Sequence, residues 1–174
     1  MKKLLLSTAL AAVAFAPAAF AASTGTINIT GKVVADTCVI SVNSSPTSTV
    51  ALPTVTTNAL STVGSVAGKT PFTIGLTGCD TNVTGAQMTF NGSNIDGTTG
   101  NLNNASGAGN SNVQVQLLNS GSNAVNASNQ TNAPLIAVSS GAGSTTMYAQ
   151  YKATSAAATA GLVSTSVGFT LTYQ

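Results

Sequence analysis

The side chains that could carry out chemistry are few in this sequence. It contains five lysines, three aspartates and two cysteines, and it has no histidine, arginine, glutamate or tryptophan. Without a histidine, Ser–His–Asp and Cys–His mechanisms are excluded. Glycoside hydrolysis needs two carboxylates that face one cleft, and Asp36, Asp80 and Asp96 lie in separate segments. The composition therefore predicts a protein that is not an enzyme and that binds no cofactor.

The sequence offers two weaker indications of catalysis or ligand binding. Residues 64–70 resemble a phosphate-binding loop only superficially, because three residues separate the glycines where the motif requires four. No strand–loop–helix pattern surrounds this segment, so we interpret it as a surface loop. The serines and lysines present would also allow a catalytic Ser–Lys dyad, but no motif supports one.

The two cysteines, Cys38 and Cys79, form an isolated pair. In an exported chain such a pair is typical of a disulfide, which would stabilise the fold by about 4 kcal/mol for a loop of this size. Two buried free thiols and a metal site are the alternatives. The metal site is the poorer of these, because the sequence offers neither histidine nor glutamate as a further ligand.

The first 21 residues are predicted to be a removable signal peptide. Lys2 and Lys3 precede an apolar stretch at residues 4–15, and an Ala-Phe-Ala cleavage site follows at residues 19–21. Removal takes away two of the five lysines and leaves three against three aspartates, so the net side-chain charge is 3 − 3 = 0. No basic patch supports nucleic-acid binding. The remaining length predicts one domain.

Short alternating segments separated by Gly- and Asn-rich turns predict an all-β sandwich. Strands are predicted at residues 32–42, 72–79, 88–90, 113–117 and 145–152, and residues 54–70 are predicted to be mostly loop. The clearest pattern is a final strand at residues 163–174. Its apolar residues share one parity, which predicts a buried face and a solvent face; they are Val163, Val167, Phe169, Leu171 and Tyr173. We expect this strand to lie at a sheet edge.

A second short alternating stretch lies at residues 24–31, near the expected start of the mature chain. It contains Ile27 and Ile29 on one parity. The pattern favours a strand that has no clear partner within its own chain, and we interpret it as a strand supplied to another copy.

These residues resemble the subunits of one known family. Gly161 is the fourteenth residue from the end of the sequence and Tyr173 is the penultimate one. With the alternation between them, they resemble the C-terminal signature of pilins assembled by the chaperone–usher route. Residues 26–34, followed by Cys38, and residues 78–83 are similar to the major subunits of type 1 fimbriae.

The resemblance implies an incomplete immunoglobulin-like β-sandwich that lacks its last strand and is completed by a donor strand from another subunit. It implies a donor extension at residues 22–31 with Gly25 as the donor-strand glycine and Ile27 and Ile29 pointing inward. The pilin domain would span residues 32–174. The groove and chaperone-recognition strand would comprise Gly161, Val163, Val167, Phe169, Leu171, Tyr173 and Gln174.

The resemblance also implies the partners and the location of the protein. These are other copies in a head-to-tail polymer, a periplasmic chaperone, an outer-membrane usher and a tip adhesin, with export through the periplasm to fimbriae on the cell surface. Two alternatives stay open at this point. One is a minor or adaptor subunit of the same kind of pilus, and the other is a secreted ligand-binding β-sandwich.

Overall fold

The computed structural model describes residues 26–33, 38–106, 112–154 and 157–174. Within these ranges the chain forms eight strands and one 3₁₀ turn, Thr57–Leu60. The strands are β1 (Val39–Val42), β2 (Val66–Thr77), β3 (Gly85–Asn91), β4 (Leu102–Asn103), β5 (Val113–Leu118), β6 (Leu135–Ser139), β7 (Ala142–Ala153) and β8 (Gly168–Tyr173). The predicted all-β class is confirmed.

The strands form two antiparallel layers. One layer runs in the order β4-β5-β7-β2-β1 and the other in the order β6-β3-β8. The layers are joined because β6 also pairs with β7, at Val138 and Ser139. Along the path through this junction, β1 and β8 are the two terminal strands. The sandwich is therefore one curled, open sheet.

The core lies between the two layers and follows from the period-two patterns. Ile74 of β2, Met88 of β3 and Met147 of β7 are each at most 2% exposed, and all belong to one apolar cluster. Alternate residues of a strand point to opposite faces. In β3, for example, Ala86, Met88 and Phe90 all enter this cluster. β5 departs from the pattern, because all six of its residues are buried.

The predicted loop at residues 54–70 is partly wrong, because β2 already begins at Val66. This first part of β2 pairs with the end of β7, where Val66 lies opposite Lys152. The register shifts between Ala67 and Thr70, and Gly68 between them has a φ of 69°. A bulge at a glycine with positive φ lets the ladder continue through small polar residues, so pairing with β7 overrides local composition.

Two other strand predictions need correction, and one strand was missed. The strand predicted at residues 32–42 is regular only from Val39 to Val42; residues 32 and 33 lie outside any strand, and residues 34–37 lie outside the described ranges. The strand predicted at residues 163–174 is regular only over Gly168–Tyr173, because its partner β3 ends at Asn91, opposite Gly168. β6 was not predicted, although Ile136 and Val138 are buried and alternate with exposed neighbours.

The predicted disulfide between Cys38 and Cys79 is present, with a Cα–Cα distance of 4.2 Å. Both cysteines are buried. The bridge joins the residue before β1 to the chain just after β2, whose facing ends pair at Val39 and Thr77. Neither cysteine is therefore a free thiol or an available metal ligand.

The chain divides into two units, Met1–Lys32 and Val33–Gln174. The second unit contains all the strands given above. In the first unit, residues 26–32 are described, and they form neither helix nor strand. None of the helices in the described ranges is long and apolar enough to cross a membrane.

Candidate functional site

β8 has a partner strand on one side only, among the residues that the structure describes. It pairs with β3 from Asn91↔Gly168 to Ala86↔Tyr173. It is the last strand in the sheet order, so its other long side is an edge. The expected edge position of the final strand is therefore observed. Such an edge carries backbone N–H and C=O groups that can pair with a further strand.

The side chains on either side of this edge follow the predicted parity. The residues of the predicted apolar row are half-buried and pack against the core; they are Val163, Val167, Phe169, Leu171 and Tyr173. The residues of the opposite parity are exposed; they are Ser164, Ser166, Gly168, Thr170 and Thr172. Because the row is only half-buried, the core beside β8 is incompletely covered.

The backbone of the same segment also alternates. In an antiparallel ladder, the N–H and C=O of one residue point to the same side, and those of the next residue point to the other side. The N–H of Gln174 donates to the Gly85 carbonyl at 2.8 Å, and the Gln174 carbonyl accepts from the N–H of Thr84 at 2.8 Å. Even-numbered residues of β8 therefore bond to β3. Odd-numbered residues direct their backbone groups to the open edge.

An apolar cleft of about 580 Å³ lies beside this edge. Val163, Val167 and Phe169 line one wall of the cleft. Its floor is formed by core residues of both layers: Ile74, Met88, Phe90, Leu117 and Met147. An unoccupied space of this size that reaches the core is unusual in a domain, because interiors are normally close-packed.

The opposite wall of the cleft is an extended segment, residues 48–52. This segment is not assigned to any strand. Val50 and Leu52 are half-buried and pack against the core, while Thr49 and Ala51 are exposed. This wall thus repeats the inside–outside alternation of the β8 side. The cleft is bordered by two extended chain segments.

A second cavity of about 580 Å³ adjoins the first. It is lined by Thr54, Leu60, Ala158 and Gly161, among others, and Tyr151 and Val163 line both cavities. The two spaces therefore form a groove that runs past the start of the 163–173 row. We call the two cavities together the open groove.

The open groove is uncharged, and its first cavity is mainly apolar. None of the described residues that line either cavity is a lysine or an aspartate. Burial raises the pKa of the Tyr151 phenol, so this side chain is neutral at physiological pH. Lys69 lies elsewhere, with its Nζ 4.1 Å from the ring centroid of Tyr148 and 2.7 Å from the Ser122 hydroxyl. The groove is therefore suited to an apolar occupant.

The predicted donor residues are partly described. Ile27 and Ile29 are 86% and 89% exposed. Val33, on the same parity, is 95% exposed. Gly25 lies outside the described residues. Large aliphatic side chains at this exposure leave most of their apolar surface in water, which is unfavourable unless a partner covers them.

Three parts of the site were not predicted from the sequence. The alternation of the N-terminal segment continues beyond residue 31 to Val33, a signal that was available in the sequence. The wall at residues 48–52 has the pattern of a half-buried strand, but Pro53 interrupts it. Thr165 falls on the inward parity of the final segment, and its Oγ1 is buried with no hydrogen-bond partner in the described structure.

Taken together, the layers and the open groove define an incomplete immunoglobulin-like β-sandwich with an apolar gap beside its edge strand. The chain belongs to the fimbrial protein family, whose model matches residues 27–174. It is therefore a structural subunit of a pilus, located in fimbriae at the cell surface. This membership decides against a secreted ligand-binding sandwich.

Similar proteins agree with this assignment. The chain is 43% identical to the major fimbrial subunit SMF-1 of Stenotrophomonas maltophilia over 171 residues, which cover 92% of this chain and 99% of that protein. Its fold is similar to that of the P pilus rod subunit PapA, with a TM-score of 0.64 and 22% identity over 80% of this chain and all of that one. A structure of a chaperone–usher pilus matches with a TM-score of 0.62 and 24% identity, covering 87% of this chain and 96% of that one.

Proposed function

We propose that this subunit is polymerised head to tail by donor-strand exchange. The N-terminal segment of one copy fills the open groove of the next copy, between β8 and residues 48–52. One observation carries this proposal: the same chain has an unfilled apolar groove beside a strand edge and an exposed, alternating apolar segment. The donor extension is residues 22–31, and its inward row of Gly25, Ile27 and Ile29 continues to Val33.

The physical gain has two parts. Each isoleucine that moves from water into the groove contributes about 2–3 kcal/mol. Each backbone hydrogen bond to an odd-numbered residue of the edge adds about 0.5–1.5 kcal/mol. The occupant then covers the half-buried row, which includes Phe169 and Leu171. Strand addition of this kind combines backbone affinity with side-chain fit.

This contact produces a filament because its two surfaces differ. One copy supplies the donor segment and the other supplies the groove, so each bound copy still presents one unused groove or donor. A heterologous contact whose geometry does not close generates an open polymer. The relative named as a major fimbrial subunit supports a major, rod-forming role for this chain over a minor or adaptor role.

The remaining partners follow from the family. We propose that residues 1–21 are a signal peptide, that the chain passes through the periplasm, and that residues 32–174 form the pilin domain. A periplasmic chaperone would cover the groove until an outer-membrane usher exchanges it for the next donor, and a tip adhesin would end the filament. Gly161, Tyr173 and Gln174 are the proposed chaperone-recognition positions. The chaperone–usher pilus of similar fold supports this route.

Paired substitutions in the donor segment test the proposal. Ile27→Asp with Ile29→Asp places two carboxylates on the inward parity, and we expect no filaments. The control, Asn28→Asp with Thr30→Asp, adds the same charge on the outward parity and should leave filaments of normal length. Electron microscopy of material sheared from the cell surface distinguishes these results. Equal filament lengths for the two variants would contradict the donor assignment.

A further inference from the structure

The groove wall next to β8 continues beyond the end of β3. β3 stops at Asn91, opposite Gly168, so residues 162–167 have no β3 partner. They nevertheless remain extended, with Val163 and Val167 half-buried and Ser164 and Ser166 exposed. Another part of the chain must therefore bond to the even-numbered backbone groups of this stretch.

The Asn104 side chain makes hydrogen bonds to this stretch in place of a β3 partner. Its Nδ2 donates to the Leu162 carbonyl at 2.9 Å, and its Oδ1 accepts from the N–H of Ser164 at 3.0 Å. The N–H of Ala105 donates to the Ser164 carbonyl at 2.7 Å. One amide side chain and one backbone group thus satisfy two successive even-numbered residues, as a neighbouring strand would.

Two further side chains complete the same contact. The Ser106 hydroxyl donates to the Leu162 carbonyl at 2.8 Å. The Asn94 Nδ2 lies 3.2 Å from both the carbonyl and the hydroxyl oxygen of Ser166. Asn94, Asn104 and Ser106 all lie in the connection between β3 and β5. We call these three residues the polar clamp.

We infer that the polar clamp positions residues 162–167 as a preformed wall of the open groove. This inference rests on the proposed donor-strand function. The clamp occupies the side that faces away from the groove. Among the described residues, none bonds to the odd-numbered backbone groups of this stretch, so these groups can meet a donor. A wall that is already extended loses less conformational entropy when the donor arrives, which strengthens binding without adding a contact to the donor.

The clamp residues are positioning residues, because they act through residues 162–167. They are also polar side chains in a loop, so a sequence pattern gives no reason to single them out. Their effect should be specific to donor binding. A purely structural residue would change the unfolding midpoint and leave the affinity for the donor unchanged.

The test uses the full chain, freshly refolded and dilute, with a fluorescent synthetic peptide of residues 25–33 as the probe. Asn104→Ala should weaken peptide binding about tenfold, which corresponds to about 1.4 kcal/mol. Asn94→Ala removes a smaller part of the clamp and should weaken peptide binding about threefold. Fluorescence anisotropy gives the affinity, and the denaturant midpoint of each variant is measured in parallel.

Asn119→Ala is the matched control. Like Asn104, the Asn119 amide donates to a backbone carbonyl, that of Asn132 at 3.3 Å, and accepts from a backbone amide, that of Asn123 at 3.1 Å. The Asn104 Oδ1 accepts from a second backbone amide as well, that of Ser106 at 3.0 Å. It lines neither cavity. We expect this variant to lower the unfolding midpoint by an amount similar to Asn104→Ala while its peptide affinity stays within about twofold of the unsubstituted chain.

The possible failures are distinguishable. If the unsubstituted chain does not bind the peptide, the donor-strand proposal is wrong and the inference falls with it. If it binds the peptide and neither clamp variant weakens binding more than Asn119→Ala does, the inference alone is overturned. Faster hydrogen exchange at the Ser164 amide in Asn104→Ala would provide independent support, and unchanged exchange there would contradict the clamp.

Discussion

At the residue scale, the connection between β3 and β4 depends on one polar residue and one glycine. The Asp96 carboxylate accepts hydrogen bonds from the N–H groups of Thr98 and Thr99 at 3.0 and 2.7 Å and from the Thr99 hydroxyl at 3.0 Å. Gly100 follows with a φ of 69° and packs against Asn126. Both residues lie in the connection between β3 and β4, which leads into the polar clamp.

The hydrogen bonds to Asp96 predict that the free energy of unfolding depends on pH in the acidic range. Hydrogen bonds from Thr99 stabilise the ionised carboxylate of Asp96 and hold its pKa below the ordinary value of 3.8. The backbone N–H of Thr99 has the largest effect, and its hydroxyl group also lowers the pKa. A lowered folded-state pKa gives stability that is complete above the unfolded-state pKa and is lost as the pH falls through the folded-state pKa. The unfolding free energy should therefore decrease as the pH falls below about 4.

The variant Asp96→Asn, whose side chain cannot titrate, should lack this pH-dependent component in denaturant titrations from pH 6 to pH 2. Identical acid profiles for the two chains would show that this carboxylate contributes nothing.

Gly100 provides a second test at this scale. A Cβ at residue 100 would collide with the Asn126 side chain, and the positive φ disfavours any other residue. We expect Gly100→Ala to lower the unfolding free energy by about 1–3 kcal/mol. Gly97→Ala is the control, because no atom lies within 4 Å of its added Cβ. Urea unfolding monitored by circular dichroism measures both, and similar midpoints for the two variants would refute the packing argument.

At the element scale, β8 borders the groove. Phe169 and Thr170 are adjacent residues of opposite parity, so one points to the groove and the other to solvent. Phe169→Asp should weaken assembly at least a hundredfold, because placing an unpaired carboxylate in apolar surroundings costs about 3 kcal/mol or more. Thr170→Asp should assemble almost normally. The rate of filament growth from purified subunits measures the difference, and equal rates would mean that the parity of β8 has been misassigned.

The elements also show what sequence can and cannot predict. The alternation at residues 163–173 predicted the parity of the groove wall, and the isolated cysteine pair predicted the disulfide. Local patterns could not give the start of β2, because its small polar residues form a strand only where β7 provides a ladder. Nor could they reveal the polar clamp, whose hydrogen bonds join residues 56–72 positions apart in the chain. Such contacts depend on tertiary geometry.

At the scale of the whole molecule, the described part of the fold is incomplete beside β8. The disulfide ties β1 to the end of β2, and the core is buried across both layers. The open groove is the exception, since it exposes part of the core beside β8. The exposed row of Ile27, Ile29 and Val33 has the apolar character that this gap requires. In the proposed assembly, a subunit built in this way gains its missing core from another copy.

Mixing two half-blocked variants tests this central claim most directly. Ile27→Asp with Ile29→Asp disables the donor and keeps the groove, while Phe169→Asp disables the groove and keeps the donor. Light scattering after size-exclusion chromatography should find each variant monomeric when alone and a one-to-one dimer when the two are mixed, with no longer species. Circular dichroism confirms beforehand that each variant is folded. Two folded variants that form no dimer, or either variant forming filaments alone, would contradict donor-strand assembly.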